Sequence, residues 1–167
     1  MVREEYSCGI LTMSDKGSRG EREDTSGKNL REIMRAAGFK IDAYQIIPDN
    51  EKIISATLKD WADSRGLDLI ITTGGTGVSP SDVTPEATAE VIDRELPGIA
   101  EAMRQASFRI TPHAVLSRAR CGIRGNCLII NLPGSKKAAQ ENIAVVLSAL
   151  PHAIYKIKGG TADCGHA

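Results

Sequence analysis

A glycine-rich stretch at residues 72–88, TTGGTGVSPSDVTPEAT, carries the clearest chemical pattern in the sequence. Three glycines, Gly74, Gly75 and Gly77, surround Thr76 directly after the apolar run LDLII. Because glycine has no β-carbon, the main chain there can approach a phosphate group closely and hold it with its amides. The stretch fits neither the dinucleotide-binding pattern G-x-G-x-x-G nor the phosphate-loop pattern G-x-x-x-x-G-K-[ST]. It predicts a phosphate-binding loop of another kind, and the alternative is a tight turn that binds no ligand.

Asp82 lies in the same stretch shortly before a predicted helix, and Asp49 follows the separate apolar run IDAYQII. A carboxylate repels phosphates unless a hard cation lies between them, and Mg²⁺ usually takes one or two carboxylates together with phosphate oxygens. The two aspartates therefore predict a Mg²⁺ site, provided that the fold brings them together. For each of them the alternative is to cap the helix that follows, since a carboxylate stabilises the free amides and the positive dipole end there.

Short apolar runs alternate with longer segments of helical periodicity, which is typical of a parallel sheet covered by helices. The predicted strands cover residues 8–13, 41–47, 67–72 and 127–131. The third of these runs is apolar almost without alternation, as expected of a central strand that is covered on both faces. In such sheets ligands bind beyond the carboxyl ends of the strands, so the loops that follow these four strands should form the site.

Start and stop signals place helices between the strands. One helix should begin with Asp49 or Asn50 as its cap. Thr84 is expected to cap a helix over residues 85–95, because its hydroxyl can accept a hydrogen bond from the first amides and a proline follows it. Ser135 is expected to cap the last helix, which lies after the fourth strand.

The chain has 167 residues with 21 basic and 21 acidic side chains, so its formal net charge is zero. The length fits one domain, which should end near residue 158 and leave residues 159–167 as a flexible tail. A balanced charge does not favour nucleic acid or an acidic membrane surface as the partner, and no apolar run is long enough to span a bilayer. The four cysteines form no C-x-x-C pair, and the first residues do not resemble a signal peptide. We therefore expect a cytoplasmic protein whose ligand is a small molecule.

An ordered set of motifs resembles the molybdopterin adenylyltransferase family, which includes the G domain of gephyrin. The motifs are ILTMSD, D-T-S-G at residues 24–27, IIPD, ITTGGTG followed by DVTPEAT, L-S-R at residues 116–118, and NLPGS. The resemblance implies a single-domain α/β protein with a three-layer α/β/α fold and a mostly parallel central sheet, in which residues 1–158 form the molybdopterin-binding domain. It also implies a nucleotidyltransferase of molybdenum cofactor biosynthesis, which transfers AMP from Mg-ATP to the molybdopterin phosphate and releases pyrophosphate.

The resemblance further implies roles for individual residues and partners. Asp49 and Asp82 match the family's two acidic catalytic positions and would also hold the Mg²⁺ ion, while Ser117 matches the pterin-side serine. The family assembles as homo-oligomers, so a trimer or a hexamer is expected, and a molybdenum-insertion protein is a further candidate partner. The positions implied to contact molybdopterin or ATP are Ser14, Asp15, Gly74, Gly75, Thr76, Gly77, Ser117, Arg118, Pro133, Gly134 and Ser135.

The sequence departs from the family pattern at two places. Ser81 stands where many members carry an arginine, so the charge of ATP would be offset by Lys28, Arg118 or Arg124 instead. The late turn is PGSKKA, where the adenylyltransferase type often has PGNP or PGQP, and this version resembles a sister branch of the same fold. A protein that binds molybdopterin or assembles with partners without catalysis is therefore the alternative function.

Overall fold

The computed structural model describes residues 5–161, in which six strands form one sheet with helices on both faces. The sheet order is β2-β1-β3-β6-β5-β4. Neighbouring strands run parallel from β2 to β6, whereas β5 is antiparallel to both β6 and β4, so the predicted mostly parallel sheet is confirmed. The strands are β1 (Ser7–Met13), β2 (Lys40–Ile47), β3 (Leu69–Thr73), β4 (Arg94–Glu95), β5 (Cys121–Arg124) and β6 (Cys127–Leu132).

All four predicted strands are present, with ends shifted by one or two residues. Strands β4 and β5 are not predicted by the hydrophobic pattern. They form the antiparallel end of the sheet: β5 leads into a turn at Gly125, after which β6 returns along it, and β4 adds two residues on the outer side of β5. Strands this short contain too few residues to show an alternating pattern.

Helices cover both faces of the sheet, which confirms the three-layer α/β/α architecture. Helices α3 and α4 pack on one face, and α2, α5, α6 and α7 pack on the other. A π-helical turn, Asp60–Ser64, continues α3, and 3₁₀ turns cover Pro112–Leu116 and Leu147–Ala149. The helices are α1 (Asp15–Ser18), α2 (Thr25–Ala36), α3 (Glu51–Lys59), α4 (Thr84–Val91), α5 (Pro97–Phe108), α6 (Lys136–Val146) and α7 (Leu150–Ile157).

Two expectations about α4 are wrong. The helix ends at Val91 and not at residue 95, because Arg94–Glu95 leaves the helical path to pair with β5. Thr84 does not cap α4, since it is the first helical residue and Val83 before it provides no side-chain cap. The Thr84 hydroxyl instead donates a hydrogen bond of 2.9 Å to the carbonyl oxygen of Gly74, a buried acceptor in the glycine-rich loop.

The caps of α3 and α6 lie where the sequence places them. Asn50, the second of the two predicted candidates, accepts a hydrogen bond from the amide of Ile53 at the start of α3. Ser135 accepts one from the amide of Ala138 and caps the helix after β6, as predicted. This helix, α6, is not the last one, since a 3₁₀ turn at Leu147–Ala149 separates it from α7. The predicted tail lies mostly outside the described residues, which end at residue 161, so its flexibility stays a prediction.

Three cysteines, Cys8, Cys121 and Cys127, are buried in the two hydrophobic layers and form no disulfide with one another. Burial raises the pKa of the Cys121 thiol and of the Cys127 thiol to about 12. Among residues 5–161 no helix combines the length and apolar character that crossing a membrane requires.

The packing of β1 under Trp61 gives a test of the fold. A β-carbon added at Gly9 would lie 2.6 Å from Cε3 of Trp61 and 2.8 Å from Cδ1 of Leu67. We therefore expect Gly9→Ala to lower the free energy of unfolding by about 1–3 kcal/mol, the usual cost of overpacking a core. Denaturant titration measures this change. Gly98→Ala is the control, because a β-carbon there meets no atom within 4 Å and the variant should be at least as stable as the wild type; equal losses would contradict the packing.

Candidate active site at the carboxyl edge of the sheet

The loops after β1, β2, β3 and β6 meet at one edge of the sheet, because these four strands are adjacent and parallel. Main-chain hydrogen bonds connect neighbouring loops directly: the amide of Ser14 donates to the carbonyl of Ile47 at 2.9 Å, and the amide of Gly74 donates to that of Leu132 at 3.1 Å. The predicted placement of the site at this edge therefore corresponds to a continuous surface of four loops.

Two adjoining cavities open among these loops. The first, here called the Asp49 cavity, has a volume of about 370 Å³. The second, here called the Ser117 cavity, has a volume of about 460 Å³ and extends toward α5 and α6. The residues that line both cavities are Gly75, Asp82, Gly134 and Ser135.

Most of the predicted site residues line one or both cavities. Asp49 and Asp82, which are distant in the chain, both face the Asp49 cavity, so the fold brings the two carboxylates together as predicted. Asp15 and Arg118 line neither cavity, although each contacts a residue that does. The remaining predicted residues in the Asp49 cavity are Ser14, Gly74, Gly75, Gly134 and Ser135, and those in the Ser117 cavity are Gly75, Thr76, Gly77, Ser117, Pro133, Gly134 and Ser135.

Asp49 is held by a reciprocal pair of hydrogen bonds with Asp15. The amide of Asp15 donates to Oδ2 of Asp49 at 3.2 Å, and the amide of Asp49 donates to Oδ1 of Asp15 at 3.0 Å. Because Asn50 caps α3, the helix does not need the Asp49 carboxylate. The capping alternative for Asp49 is therefore wrong, and its carboxylate faces the cavity instead.

Asp82 closes a turn within its own loop. Its Oδ2 atom accepts a hydrogen bond of 2.9 Å from the amide of Ser79, while its amide donates to the carbonyl of Ser79 at 2.9 Å. A β-carbon at Gly77 would lie only 2.8 Å from Oδ2 of Asp82, so the carboxylate folds back over bare main chain. Asp82 does not cap α4, and the capping alternative is wrong here as well.

Gly75 packs tightly between Thr84 and Asp49. Its φ of +67° lies in the left-handed region, and a β-carbon there would lie 2.4 Å from Oγ1 of Thr84 and 3.1 Å from Oδ1 of Asp49. Thr84 also donates its amide to the carbonyl of Gly75 at 3.1 Å. Together with the bond from its hydroxyl to Gly74, this fixes the first two glycines of the glycine-rich loop against the start of α4.

The electrostatics of the Asp49 cavity fit a hard cation. Burial raises the pKa of Asp49 above its ordinary value, and the negative charges of Asp15 and Asp82 raise it further, although the hydrogen bond from the Asp15 amide opposes them. A divalent cation between Asp49 and Asp82 would offset this repulsion, and carboxylate oxygens are the donors that Mg²⁺ prefers. No group of three or more His, Cys, Asp or Glu side chains in the described part of the chain could hold a metal ion alone. The fit is therefore to a Mg²⁺ ion that also binds oxygens of a ligand.

A buried polar cluster beside the same cavity was not predicted. Asp24, only 8% exposed, accepts hydrogen bonds of 2.7 Å from the hydroxyls of Thr12 and Tyr44 and one of 2.8 Å from the amide of Gly27. Nearby, Ser26 and Thr73 share a hydrogen bond of 2.9 Å. The D-T-S-G motif signals the start of α2, but nothing in the sequence shows that Asp24 turns inward toward the cavity.

The three basic side chains expected to offset ligand charge lie in different places. Lys28 pairs with Glu23, which lines the Asp49 cavity. Arg118 lines neither cavity and donates hydrogen bonds to the carbonyls of Gly77 and Asp82. For Arg124 the expectation is wrong, because its side chain binds Asp63 and the carbonyl of Val91 beside the turn between β5 and β6, at the opposite edge of the sheet.

Comparison with known proteins bears on this geometry. The family model described as a probable molybdopterin binding domain matches residues 9–152, which include the loops that form both cavities. This chain belongs to that family. The resemblance seen in the sequence motifs is thereby confirmed.

Relatives in the molybdopterin-binding domain family fall into two sizes. A molybdopterin adenylyltransferase from Helicobacter pylori is 40% identical over 155 residues, which cover 90% of this chain and 87% of that protein. The molybdenum cofactor synthesis protein cinnamon from Drosophila melanogaster is 41% identical over 92% of this chain, but the chain spans only 26% of its length. A crystal structure of the molybdopterin biosynthesis enzyme MoaB from Thermus thermophilus matches with a TM-score of 0.87 and 52% identity, over 92% of this chain and 97% of that one.

The crowding at Gly75 predicts that this family member cannot accept a side chain there. Gly75→Ala should lower the free energy of unfolding by the roughly 1–2 kcal/mol of a left-handed alanine, and by a further amount because Thr84 must move. Gly20→Ala is a matched control, since Gly20 also has a positive φ but a β-carbon there meets no atom within 4 Å. Denaturant titration of both variants separates the two contributions; equal losses would mean that the contact with Thr84 is unimportant.

Proposed function

We propose that this chain is a molybdopterin adenylyltransferase, a nucleotidyltransferase that transfers AMP from Mg-ATP to the phosphate of molybdopterin and releases pyrophosphate. The observation that carries the proposal is the convergence of Asp49 and Asp82 on one cavity beside the glycine-rich loop. The name of the Helicobacter pylori relative supports the same reaction, because that protein is matched over nearly its whole length. We also propose a cytoplasmic location, where ATP is available.

We assign the two substrates to the two cavities. Molybdopterin would place its pterin in the Ser117 cavity, whose wall includes apolar side chains such as Ile110 and Leu116. ATP would occupy the Asp49 cavity. The phosphates of both substrates would meet at the shared border, where Gly75 and Gly134 expose main chain and Asp82 contributes the carboxylate.

The residues at this border would act by positioning and electrostatics. The main-chain amides of the glycine-rich loop would hold a phosphate, and the terminal phosphate oxygen of molybdopterin would attack the α-phosphorus of ATP while pyrophosphate leaves. When bound, Mg²⁺ would neutralise the charge that builds up on the nucleotide. Asp49 and Asp82 would hold this ion, and their fixed hydrogen bonds to the Asp15 and Ser79 amides would keep them in place. No covalent enzyme intermediate is needed.

A molybdopterin-binding or assembly protein without catalysis is the alternative function. It would need the Ser117 cavity but not the two acidic side chains in the Asp49 cavity. The presence of both carboxylates, each held by an amide of a neighbouring residue or loop, favours the enzyme. The sister-branch turn PGSKKA does not remove either one.

Neutralising either carboxylate tests the proposal. Asp82→Asn and Asp49→Asn should each lower kcat by about 100-fold or more while leaving molybdopterin affinity nearly unchanged, because they would stabilise charge chiefly in the transition state. Pyrophosphate release and adenylylated molybdopterin are measured with Mg-ATP present, and pterin binding is measured separately.

Asp60→Asn is the control for these variants, since Asp60 is exposed, pairs only with Arg65 among the described ion pairs, and lies far from both cavities at the end of α3. Full AMP transfer by Asp82→Asn would refute its catalytic role. A wild-type protein that binds molybdopterin but releases no pyrophosphate would establish the non-catalytic alternative.

We further propose that the chain assembles as a homotrimer, as the family resemblance implies. Support comes from large apolar side chains that are exposed in the single chain at the end of α5 and in the segment that follows it. Phe108 is 55% exposed, Ile110 59%, Val115 65% and Leu116 48%. Large exposed apolar side chains grouped in one segment are typical of an interface between protein chains. Ile110 and Leu116 also line the Ser117 cavity, so the proposed interface would border that cavity.

Placing a charge on this surface tests the assembly. Val115→Glu should shift the protein toward monomer, because burying an unpaired carboxylate in an interface is strongly unfavourable. Light scattering after size-exclusion chromatography measures the mass of each species. Ile53→Glu is the control, since Ile53 is also exposed at 42% but lies in α3. A trimer that survives Val115→Glu would place the interface elsewhere, and a wild-type monomer would refute the assembly.

A further inference from the structure

Arg118 forms an unusually complete set of contacts with the glycine-rich loop. Its Nε atom donates to the carbonyl of Gly77 at 2.7 Å, and its Nη2 atom donates to the carbonyl of Asp82 at 2.6 Å. Its own amide donates to the carbonyl of Thr76 at 2.8 Å. The guanidinium therefore spans the first and last residues of the turn from Gly77 to Asp82.

Arg118 borders a separate cavity of about 530 Å³, which shares Ser117 with the Ser117 cavity. Arg118 lines neither the Asp49 cavity nor the Ser117 cavity, whereas Gly77 and Asp82 face them. Arg118 binds the carbonyls of Gly77 and Asp82. These two residues also approach each other closely, since a β-carbon at Gly77 would lie 2.8 Å from Oδ2 of Asp82. Arg118 thus binds the main chain of the two residues whose contact orients the Asp82 carboxylate.

Glu86 fixes the guanidinium in this position. Its Oε1 atom accepts from Nη1 of Arg118 and its Oε2 atom from Nη2 at 3.4 Å. Glu86 belongs to the first turn of α4, so the arginine connects the turn to a rigid helix. The hydrogen bond from Arg118 also keeps the pKa of Glu86 below its usual value, which preserves the ion pair into acidic solution.

We propose that Arg118 is a positioning residue: it closes the Gly77–Asp82 turn through two main-chain carbonyls and thereby fixes Asp82 for the reaction, rather than contacting ATP or molybdopterin. The role differs from the ligand contact that the family resemblance implies for this position. Ser117, next to Arg118 in the chain, lines the cavity assigned to the pterin. This proposal rests on the proposed function for its kinetic part only.

The arrangement predicts that lysine can replace this arginine only in part. A guanidinium offers five N–H donors in a planar fork, and here the fork reaches two carbonyls and a carboxylate at once. A lysine ammonium would keep the charge but would reach the carbonyls of Gly77 and Asp82 with a single nitrogen. The geometry of the donors, and not the charge alone, is what the turn requires.

Hydrogen exchange in the ligand-free protein tests the positional role without reference to activity. In Arg118→Met the amides of Ser79 and Asp82, which are bonded within the turn, should exchange about tenfold faster than in the wild type. Arg118→Lys should exchange at an intermediate rate. Arg120→Met is a matched control, because Arg120 forms a comparably exposed ion pair with Glu95. The side chains of Arg120 and Glu95 are 42% and 49% exposed, and those of Arg118 and Glu86 are 38% and 45% exposed. In Arg120→Met the amides of Ser79 and Asp82 should exchange at the wild-type rate.

Steady-state kinetics with Mg-ATP and molybdopterin test the link to Asp82. Arg118→Met should lower kcat by about 10- to 100-fold, the cost of a misplaced catalytic group, and leave both KM values within about twofold. If Arg118→Met does not fold, Glu86→Gln, which weakens the anchor and keeps the carbonyl contacts, should give a smaller change in the same direction.

The outcomes separate this proposal from the proposed function. Unchanged exchange in the turn would overturn it, as would faster exchange with unchanged kcat. A raised KM with unchanged kcat would show that Arg118 contacts a substrate after all. A wild-type protein that transfers no AMP would refute the proposed function, while the exchange experiment would still decide whether Arg118 holds the turn.

Discussion

The attachment of the glycine-rich loop to Thr84 is the interaction on which the site depends. The Thr84 amide and hydroxyl bind the carbonyls of Gly75 and Gly74, so the loop leaves β3 and is immediately fixed to the start of α4. Only a residue without a side chain fits at position 75, because Thr84 and Asp49 occupy the space on that side. One tight packing contact therefore determines both the path of the main chain in the glycine-rich loop and how closely the Asp49 carboxylate can approach it.

The two carboxylates are fixed by different means that have the same effect. Asp49 exchanges hydrogen bonds with Asp15 across two loops. The Asp82 carboxylate instead accepts a hydrogen bond from the Ser79 amide in its own turn, and the Asp82 carbonyl accepts one from Arg118. Both carboxylates accept hydrogen bonds from main-chain amides in the loops of the site. A site built in this way is preorganised, so little reorganisation is needed when charge develops in the transition state.

The sequence predicts the central strands, the helix caps at Asn50 and Ser135 and the meeting of Asp49 with Asp82, because each depends on local pattern and on the rule that ligands bind at the carboxyl edge of parallel strands. It does not predict β4 and β5, whose pairing is a tertiary event between very short segments. The inward orientation of Asp24 cannot be predicted from the sequence for a similar reason, because its partners Thr12 and Tyr44 lie in strands β1 and β2. The orientation of Arg118 likewise depends on Glu86 and on main-chain carbonyls of the loop, and a sequence pattern does not reveal contacts with main-chain groups.

The burial of Cys8, Cys121 and Cys127 has a consequence for the chemistry of the folded chain. Thiolates, not thiols, react with oxidants and alkylating agents, and a thiol with a strongly raised pKa inside a packed layer is both protonated and inaccessible. These three sulfur atoms belong to β1, β5 and β6, the strands that also carry the loops of the site or brace them. The folded sheet thus protects these three thiols from oxidation, and we expect oxidation at these positions to require separation of the strands.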